Sequence, residues 1–338
     1  MPINQQILLA SRPQGEALES NFQQVSAQTP SLQDGQVLVR HHFLSLDPYM
    51  RGRMNDAKSY TQPQALGQVM GGGTAGEVVE SCSSRFAVGD TVVGMGGWQE
   101  YSVVQADQSG ALRKVDTSRV PLSHYLGAVG MPGVTAWYGL TQICAPQQSE
   151  TVVCSAATGA VGSAVAALAK SRGCRVVGVA GGAEKCHYAT EDLGYDACID
   201  YQQHTDVASL SKAVKVACPN GVDSYFENVG GMVLNAVLPR MNAFGRIALC
   251  GMIAGYNGAP VPMDYPQLLL TNRIRLQGFI VGEHMEHWPA ALKELGELVG
   301  SGKFRPRESI ALGIAAAPQA FLGLLKGRNV GKQLVRLT

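Results

Sequence analysis

The residues "SAATGAVG" at 155–162 space small side chains as Ala157-x-Gly159-x-x-Gly162. This is Gly-x-Gly-x-x-Gly with alanine in its first place. Between a strand and a helix, Gly159 would let the backbone approach a pyrophosphate whose charge suits the helix N-terminus, and Gly162 would let that helix pack closely on the sheet. A glycine turn alone also occurs with no ligand; its place inside a strand–turn–helix unit carries the binding reading.

A second stretch, "RVVGVAGGAEK" at 175–185, ends a strand where a carboxylate normally accepts hydrogen bonds from the ribose diol of NAD. Here Ala180 or Gly181 stands in that place, the paired glycines 181 and 182 follow, and Lys185 falls in the first turn of the next helix. NADP carries a phosphate there, which an acid would repel and a cation would hold. Glu184 is the discordant neighbour, and the bland alternative is that Lys185 is one more solvated lysine. The site reads as intact and the cofactor as NADPH.

The elements that position these residues follow from patterning. The 338 residues, 46% hydrophobic, suffice for two domains. Residues 1–125 alternate short β-type runs with glycine and proline: "GQVLVRHHFLSL" (35–46), "GTAGEVVES" (73–81), "GDTVVGMGGWQEYSVV" (89–104) and "ALRKVD" (111–116) suggest a small all-β barrel. From about 126 the rhythm becomes strand and helix in turn. Strands are read at 150–156, 174–180, 196–200, 221–229, 245–251 and 273–281, with helices at 159–173, 183–194, 206–218 and 232–241. That alternation implies an α/β, doubly wound parallel sheet. The tail 329–338 is β-type again and is read as returning to the first domain.

Lys+Arg 27 against Asp+Glu 26 leaves a formal charge of +1, with no basic stripe to bind nucleic acid. The opening "MPINQQILLASRPQG" does not read as a secretory signal, and no apolar run approaches the ~20 residues that span a bilayer. The eight cysteines form no C-x-x-C pair, so free, mostly buried thiols and a cytoplasmic location are expected.

The whole chain resembles the medium-chain dehydrogenase/reductase superfamily. More narrowly, it is similar to the zinc-independent branch of prostaglandin reductases and leukotriene dehydrogenases, and within it to bacterial NADPH-dependent curcumin reductases. The carrying motifs are "LSLDPYMRGRM" (44–54), "AATGAVGS" (156–163), "VAGGAEK" (179–185), "YFENVGG" (225–231), "CGMIAGYN" (250–257), "RLQGFIV" (275–281) and "GLLKGRNVGK" (323–332). The resemblance implies a GroES-like β-barrel catalytic domain over 1–125 and 310–338, and a Rossmann NADP-binding domain over 126–309. It also implies that Gly159, Ala160, Val161 and Gly162 meet the pyrophosphate and that Lys185 and Tyr201 meet the 2′-phosphate. By the same token Asn228 and the 250–256 loop, with Cys250, Gly251 and Tyr256, line the cofactor groove. Phe279, Ile280 and Val281 would face the nicotinamide, and Asn329 would reach in from the tail. Each has a plainer reading: 279–281 as sheet core, Tyr201 as a strand-end tyrosine, Asn228 as a turn former. A homodimer through "RLQGFIV" is suggested in the same way.

Metal-dependent members use a cysteine near "SLDP" and a histidine–glutamate pair near "MGGGTAG"; this chain has Ser45, Leu46 and Asp47, then Gly71, Gly72 and Gly73. The four-cysteine zinc lobe is missing, and "EHMEH" at 283–287 matches no standard metal spacing, so no metal is expected. A metal-free NADPH site suits conjugate reduction: hydride adds to the β-carbon of an enone, and charge spreads onto the carbonyl oxygen. A phenol, with an ordinary pKa near ~10, stays protonated at neutral pH and can donate to that oxygen. Tyr256 in "IAGYNG" is the leading candidate and Tyr49 in "LDPYM" a second, across the cleft; either could instead be packing. The expected partner is a small-molecule enone. The rivals are a quinone reductase and an NADPH-binding protein without catalysis.

Overall fold

Short β-branched runs separated by glycine turns build the first unit, which comprises Met1–Leu126, Glu308–Asn329 and Gln333–Thr338 in the computed structural model. The structure describes residues 2–108 and 110–337. β1 (Ile3–Leu9) and β2 (Phe22–Gln28) form an antiparallel pair. A seven-stranded sheet follows: β3 (Gln36–Ser45), β4 (Thr74–Ser81), β5 (Thr91–Gly94), β6 (Tyr101–Gln105), β7 (Leu112–Lys114), β14 (Glu308–Leu312) and β15 (Lys332–Arg336). Its order is β14-β15-β3-β4-β5-β7, with β6 on β3. The tail thus returns to this sheet, Leu334 pairing with Ser45. The run 89–104 is two strands rather than one, because Gly96 and Gly97 interrupt it between β5 and β6. Trp98 is fully buried, stacked on Phe22 at 5.5 Å and met edge-on by Phe321 of α9 (Ala317–Leu325). α1 (Tyr49–Arg53) is a single short turn.

The second unit, Gly127–Arg307 with Val330–Lys332, holds the parallel sheet. Its strands are β8 (Thr151–Ser155), β9 (Arg175–Ala180), β10 (Ala197–Asp200), β11 (Val222–Glu227), β12 (Met241–Leu249) and β13 (Arg275–Gly278). Its neighbouring strands pair in parallel and the order is β10-β9-β8-β11-β12-β13. Numbered from β8, this is the 3-2-1-4-5-6 order of a Rossmann sheet, whose strand order reverses between β8 and β11. Near-continuous apolar strands such as "TVVCS" are buried throughout, as a sheet covered on both faces demands. The covering helices are α2 (Met131–Tyr138), α3 (Ala160–Ser171), α4 (Ala183–Glu191), α5 (Val207–Ala217), α6 (Gly231–Val237), α7 (Gln267–Thr271) and α8 (Trp288–Gly300). Val153, Val177, Leu210, Val214, Tyr225 and Ile247 lie in one buried core of this unit.

The strand expected over 273–281 stops at Gly278, where its partner β12 ends at Leu249. Beyond that pair the chain has no ladder to join, and Phe279 packs against Tyr138 at 5.4 Å and edge-on to Phe226 at 6.3 Å. All eight cysteines are free: four are buried, three half-buried, and Cys82 is exposed. Among the described residues no helix is long and apolar enough to cross a membrane.

Candidate cofactor and active site

At the start of α3, Gly159 is the N-cap, and the first helical bond runs from Ser163 N–H to the Gly159 carbonyl at 2.9 Å. The amides of Ala160, Val161 and Gly162 therefore have no partner within the helix, and no acid lies in its first turn. A Cβ on Gly162 would stand 2.5 Å and 2.6 Å from the carbonyl oxygens of Ala156 and Ala157. Only glycine lets the helix approach the strand end this closely. The segment Val330–Lys332 docks on the same turn: Gly331 forms a parallel bridge with Gly159, and its N–H donates to the Thr158 carbonyl at 3.0 Å. Asn329 directly precedes this segment.

At the end of the second strand of the parallel sheet, β9 closes on the buried Ala180. Lys185, half-buried in the first turn of α4, has its pKa lowered by burial, partly opposed by Glu184. A Cβ on Gly181 would stand 2.9 Å from the ring of Tyr201, so any acid at 181 would displace that ring. Tyr201 is exposed on the turn that follows β10. An acid-free strand end, a glycine slot and a lysine on the helix together fit a phosphate better than a ribose diol.

Where the strand order reverses, Glu227 ends β11 fully buried. It accepts from Ser155 Oγ at 3.1 Å and Gly230 N–H at 2.7 Å, and also from Val229 N–H and the Tyr225 hydroxyl. Burial pushes its carboxyl up, while these donors pull the other way. Asn228 is held on Ser155: its N–H donates to Ser155 Oγ at 2.8 Å and its Nδ2 to the Ser155 carbonyl at 2.8 Å, with a longer Nδ2 contact to Cys154 Sγ at 3.8 Å. Cys250 and Gly251 donate their N–H groups to the Glu227 carbonyl, and burial together with the Glu227 charge pushes the Cys250 thiol up to about 12. The following loop folds back onto the turn after β11, Ile253 N–H reaching the Asn228 carbonyl at 3.2 Å and Ala254 N–H the Val229 carbonyl at 3.0 Å. It brings the Tyr256 hydroxyl to 3.1 Å from where a Cβ on Gly251 would be. Asn228, Cys250, Gly251 and Tyr256 are thus brought together at the C-terminal ends of β11 and β12. Ile280 is half-buried, and Val281 is buried with its carbonyl accepting from Trp288 Nε1.

In the first unit, Tyr49 opens α1 with the Arg53 guanidinium 4.5 Å from its ring centre. Burial pushes its phenol well above the usual value; Asp47 and Tyr60 add to this and Arg53 opposes it. The phenol is therefore protonated at neutral pH.

A profile described as the N-terminal domain of oxidoreductases matches residues 5–112, and one described as zinc-binding dehydrogenase matches 160–297. The chain is 46% identical over 341 residues to the NADPH-dependent curcumin reductase of Escherichia coli, covering 99% of this chain and 97% of that protein. The chain belongs to the medium-chain dehydrogenase/reductase family. Prostaglandin reductase 1 of Rattus norvegicus, 42% identical over 329 residues, covers 96% of each chain. The crystal structure of CurA from Vibrio vulnificus in complex with NADPH covers 99% of each chain at a TM-score of 0.91 and 42% identity.

Ser45, Leu46, Asp47 and Gly71 to Gly73 stand where the resemblance puts the zinc ligands of metal-dependent relatives. Ser45 donates its hydroxyl to Asp47, and Gly71, Gly72 and Gly73 offer no side-chain ligand. In "EHMEH", Glu286 lies 3.6 Å from His284 Nδ1 and 3.5 Å from His287 Nε2, and the His284 ring stacks on Tyr138 at 4.1 Å. Among the described residues no group of three or more His, Cys, Asp or Glu side chains is placed to hold a metal ion. Two residues beside the expected site have no role assigned by a cofactor motif: Glu227, behind Asn228 and Cys250, and Asp200, whose carboxylate accepts from Gly182 N–H. Glu227 had a signal in "SYFEN", since Tyr225 and Glu227 share one side of a strand by the period of two.

Proposed function

We propose that this oxidoreductase reduces the carbon–carbon double bond of α,β-unsaturated ketones and aldehydes, curcumin-like enones included, with NADPH. One observation carries the reading: the Tyr256 phenol stands at the C-terminal edge of the sheet, where ligands of such folds gather, beside Gly251. The names of relatives support it, including a 2-alkenal reductase (NADP(+)-dependent) of Nicotiana tabacum at 40% identity over 341 residues.

Bound NADPH would supply a hydride to the β-carbon of the substrate. Gly159 to Gly162 would hold its pyrophosphate on the free amides of α3, and Lys185 and Tyr201 its 2′-phosphate. Asn228, Cys250 and Gly251 would line the groove, with Phe279, Ile280, Val281 and Asn329 toward the nicotinamide. Tyr256 would donate to the carbonyl oxygen and stabilise the negative charge that collects there as the enolate forms. Tyr49 is a second substrate-facing phenol in this reading, and water returns the proton to the α-carbon. The exposed edge of the six-stranded sheet at β13 would pair two copies into a homodimer, and the eight free thiols fit a reducing, cytoplasmic setting.

A panel of enones, enals and small quinones, followed by NADPH absorbance with NADH run beside it, tests the proposal. Enones and enals should consume NADPH much faster than NADH. Turnover confined to quinones would make the protein a quinone reductase, and binding without oxidation in any case would make it a non-catalytic binder.

A further inference from the structure

Ala180 ends β9 at the place of the missing ribose-binding acid, and its partner in the ladder to β10 is Asp200. The carboxylate absent from one strand end is present on the next, at the same level of the sheet. There it serves the backbone. Asp200 Oδ1 accepts from Gly182 N–H at 2.8 Å and from Gln202 N–H at 3.0 Å, and Oδ2 accepts from Gln203 Nε2 at 3.3 Å. Burial opposes the charge, yet these donors outweigh it and hold the carboxyl below the usual range.

The two amides belong to different turns. Gly182 is the N-cap of α4 and has a φ of 91°, a left-handed conformation that favours glycine. Gln202 lies in the turn Tyr201–Gln203, which Asp200 caps. One carboxylate therefore ties the turn that leads to Lys185 to the turn that carries Tyr201, and the ring of Tyr201 comes to rest against Gly181.

We propose that Asp200 is a positioning residue for cofactor choice, holding the Lys185 and Tyr201 turns in the mutual arrangement that accepts a 2′-phosphate. Its acceptor atoms face protein amides, so its charge is offset where a phosphate would otherwise be repelled. The proposal rests on the NADPH reading above and adds the residue that shapes the discriminating end of the site. A side-chain amide oxygen could accept the same two N–H bonds, so asparagine should serve nearly as well as aspartate.

The test compares the full-length wild type with Asp200→Asn and Asp200→Ala. The readouts are Kd for NADPH, NADH, 2′,5′-ADP and 5′-AMP, together with kcat and KM on one enone. Asp200→Ala should weaken NADPH and 2′,5′-ADP about tenfold while NADH and 5′-AMP stay within about twofold and kcat at saturating NADPH holds. Asp200→Asn should keep the wild-type preference. An Asp200→Ala enzyme that keeps the preference, or that loses both cofactors in equal proportion, would overturn the assignment. Should that variant not fold, Asp200→Glu, which moves the carboxylate off the two amides, reads the same ratio. A wild type that binds 2′,5′-ADP no better than 5′-AMP would instead remove the NADPH reading itself.

Discussion

The Tyr256 hydroxyl lies 3.1 Å from the point where a Cβ on Gly251 would stand, so the absence of a side chain at 251 leaves the phenol its place. If that phenol stabilises an enolate, Tyr256→Phe lowers kcat on enones on the order of 10²-fold with little change in NADPH binding. Gly251→Ala, which crowds the hydroxyl, should lose turnover in the same direction but less. Steady-state kinetics on both variants decide the matter, and an unchanged kcat in Tyr256→Phe would remove the residue from the mechanism.

Lys185 is half-buried in the first turn of α4. Burial lowers its pKa and Glu184 partly opposes that; a phosphate beside the ammonium would favour the charged form further. Lys185→Ala should weaken NADPH binding by ~1.5–3 kcal/mol and leave NADH nearly unchanged. Calorimetric titration with both cofactors measures this, and an equal loss for the two would rule out the phosphate role.

Gly162 leaves no room for a methyl group, since the nearest atoms are the backbone carbonyls of Ala156 and Ala157. Gly162→Ala must push α3 off the end of β8, and overpacking of this kind destabilises by roughly 1–3 kcal/mol. Thermal unfolding should show the loss, and affinity for either cofactor should fall because the displaced amides are those that would hold the pyrophosphate. Retained stability together with retained affinity would show that the helix can shift without consequence.

His41 in β3 is buried, with Nε2 2.9 Å from Ser102 Oγ, and its pKa is pushed down to about 3 by burial and then by His42. In the unfolded chain a histidine titrates near ~6.5. Between these values the unfolded state takes up a proton that the native state refuses, so the stability present above ~6.5 declines as pH falls toward about 3. His41→Gln lacks this titration. Its unfolding free energy should therefore fall less than that of the wild type between about pH 7 and pH 5, by about 2 kcal/mol. Urea unfolding at the two pH values checks it, and parallel losses in both proteins would contradict it.

The parallel sheet was legible because its strands are short, valine-rich and bounded by glycine, and because helices of regular length separate them. β1 and β2 were not, since "INQQILL" and "FQQVSAQ" are glutamine-rich strands whose pattern is only partly apolar. α2 was hidden for the opposite reason: "MPGVTAWY" is buried at nearly every position and opens with proline and glycine, so it shows no amphipathic stripe. At the candidate site, the glycine turn and the missing acid could be read from spacing alone. Asp200 could not, because its relation to Ala180 exists only through the β9–β10 register. Phe279 shows the limit of apolar character as a guide. Its ring packs on Tyr138 and Phe226, and an aromatic in such a cluster has the same sequence signature as one that faces a cofactor.

The most direct measurement is the identity of the product formed from a simple enone and NADPH, read by carbon and proton NMR with NADPH deuterated at the transferred position. Conjugate reduction places the deuterium on the β-carbon of a saturated ketone, one equivalent per NADPH consumed. An allylic alcohol with deuterium on the carbinol carbon would contradict it.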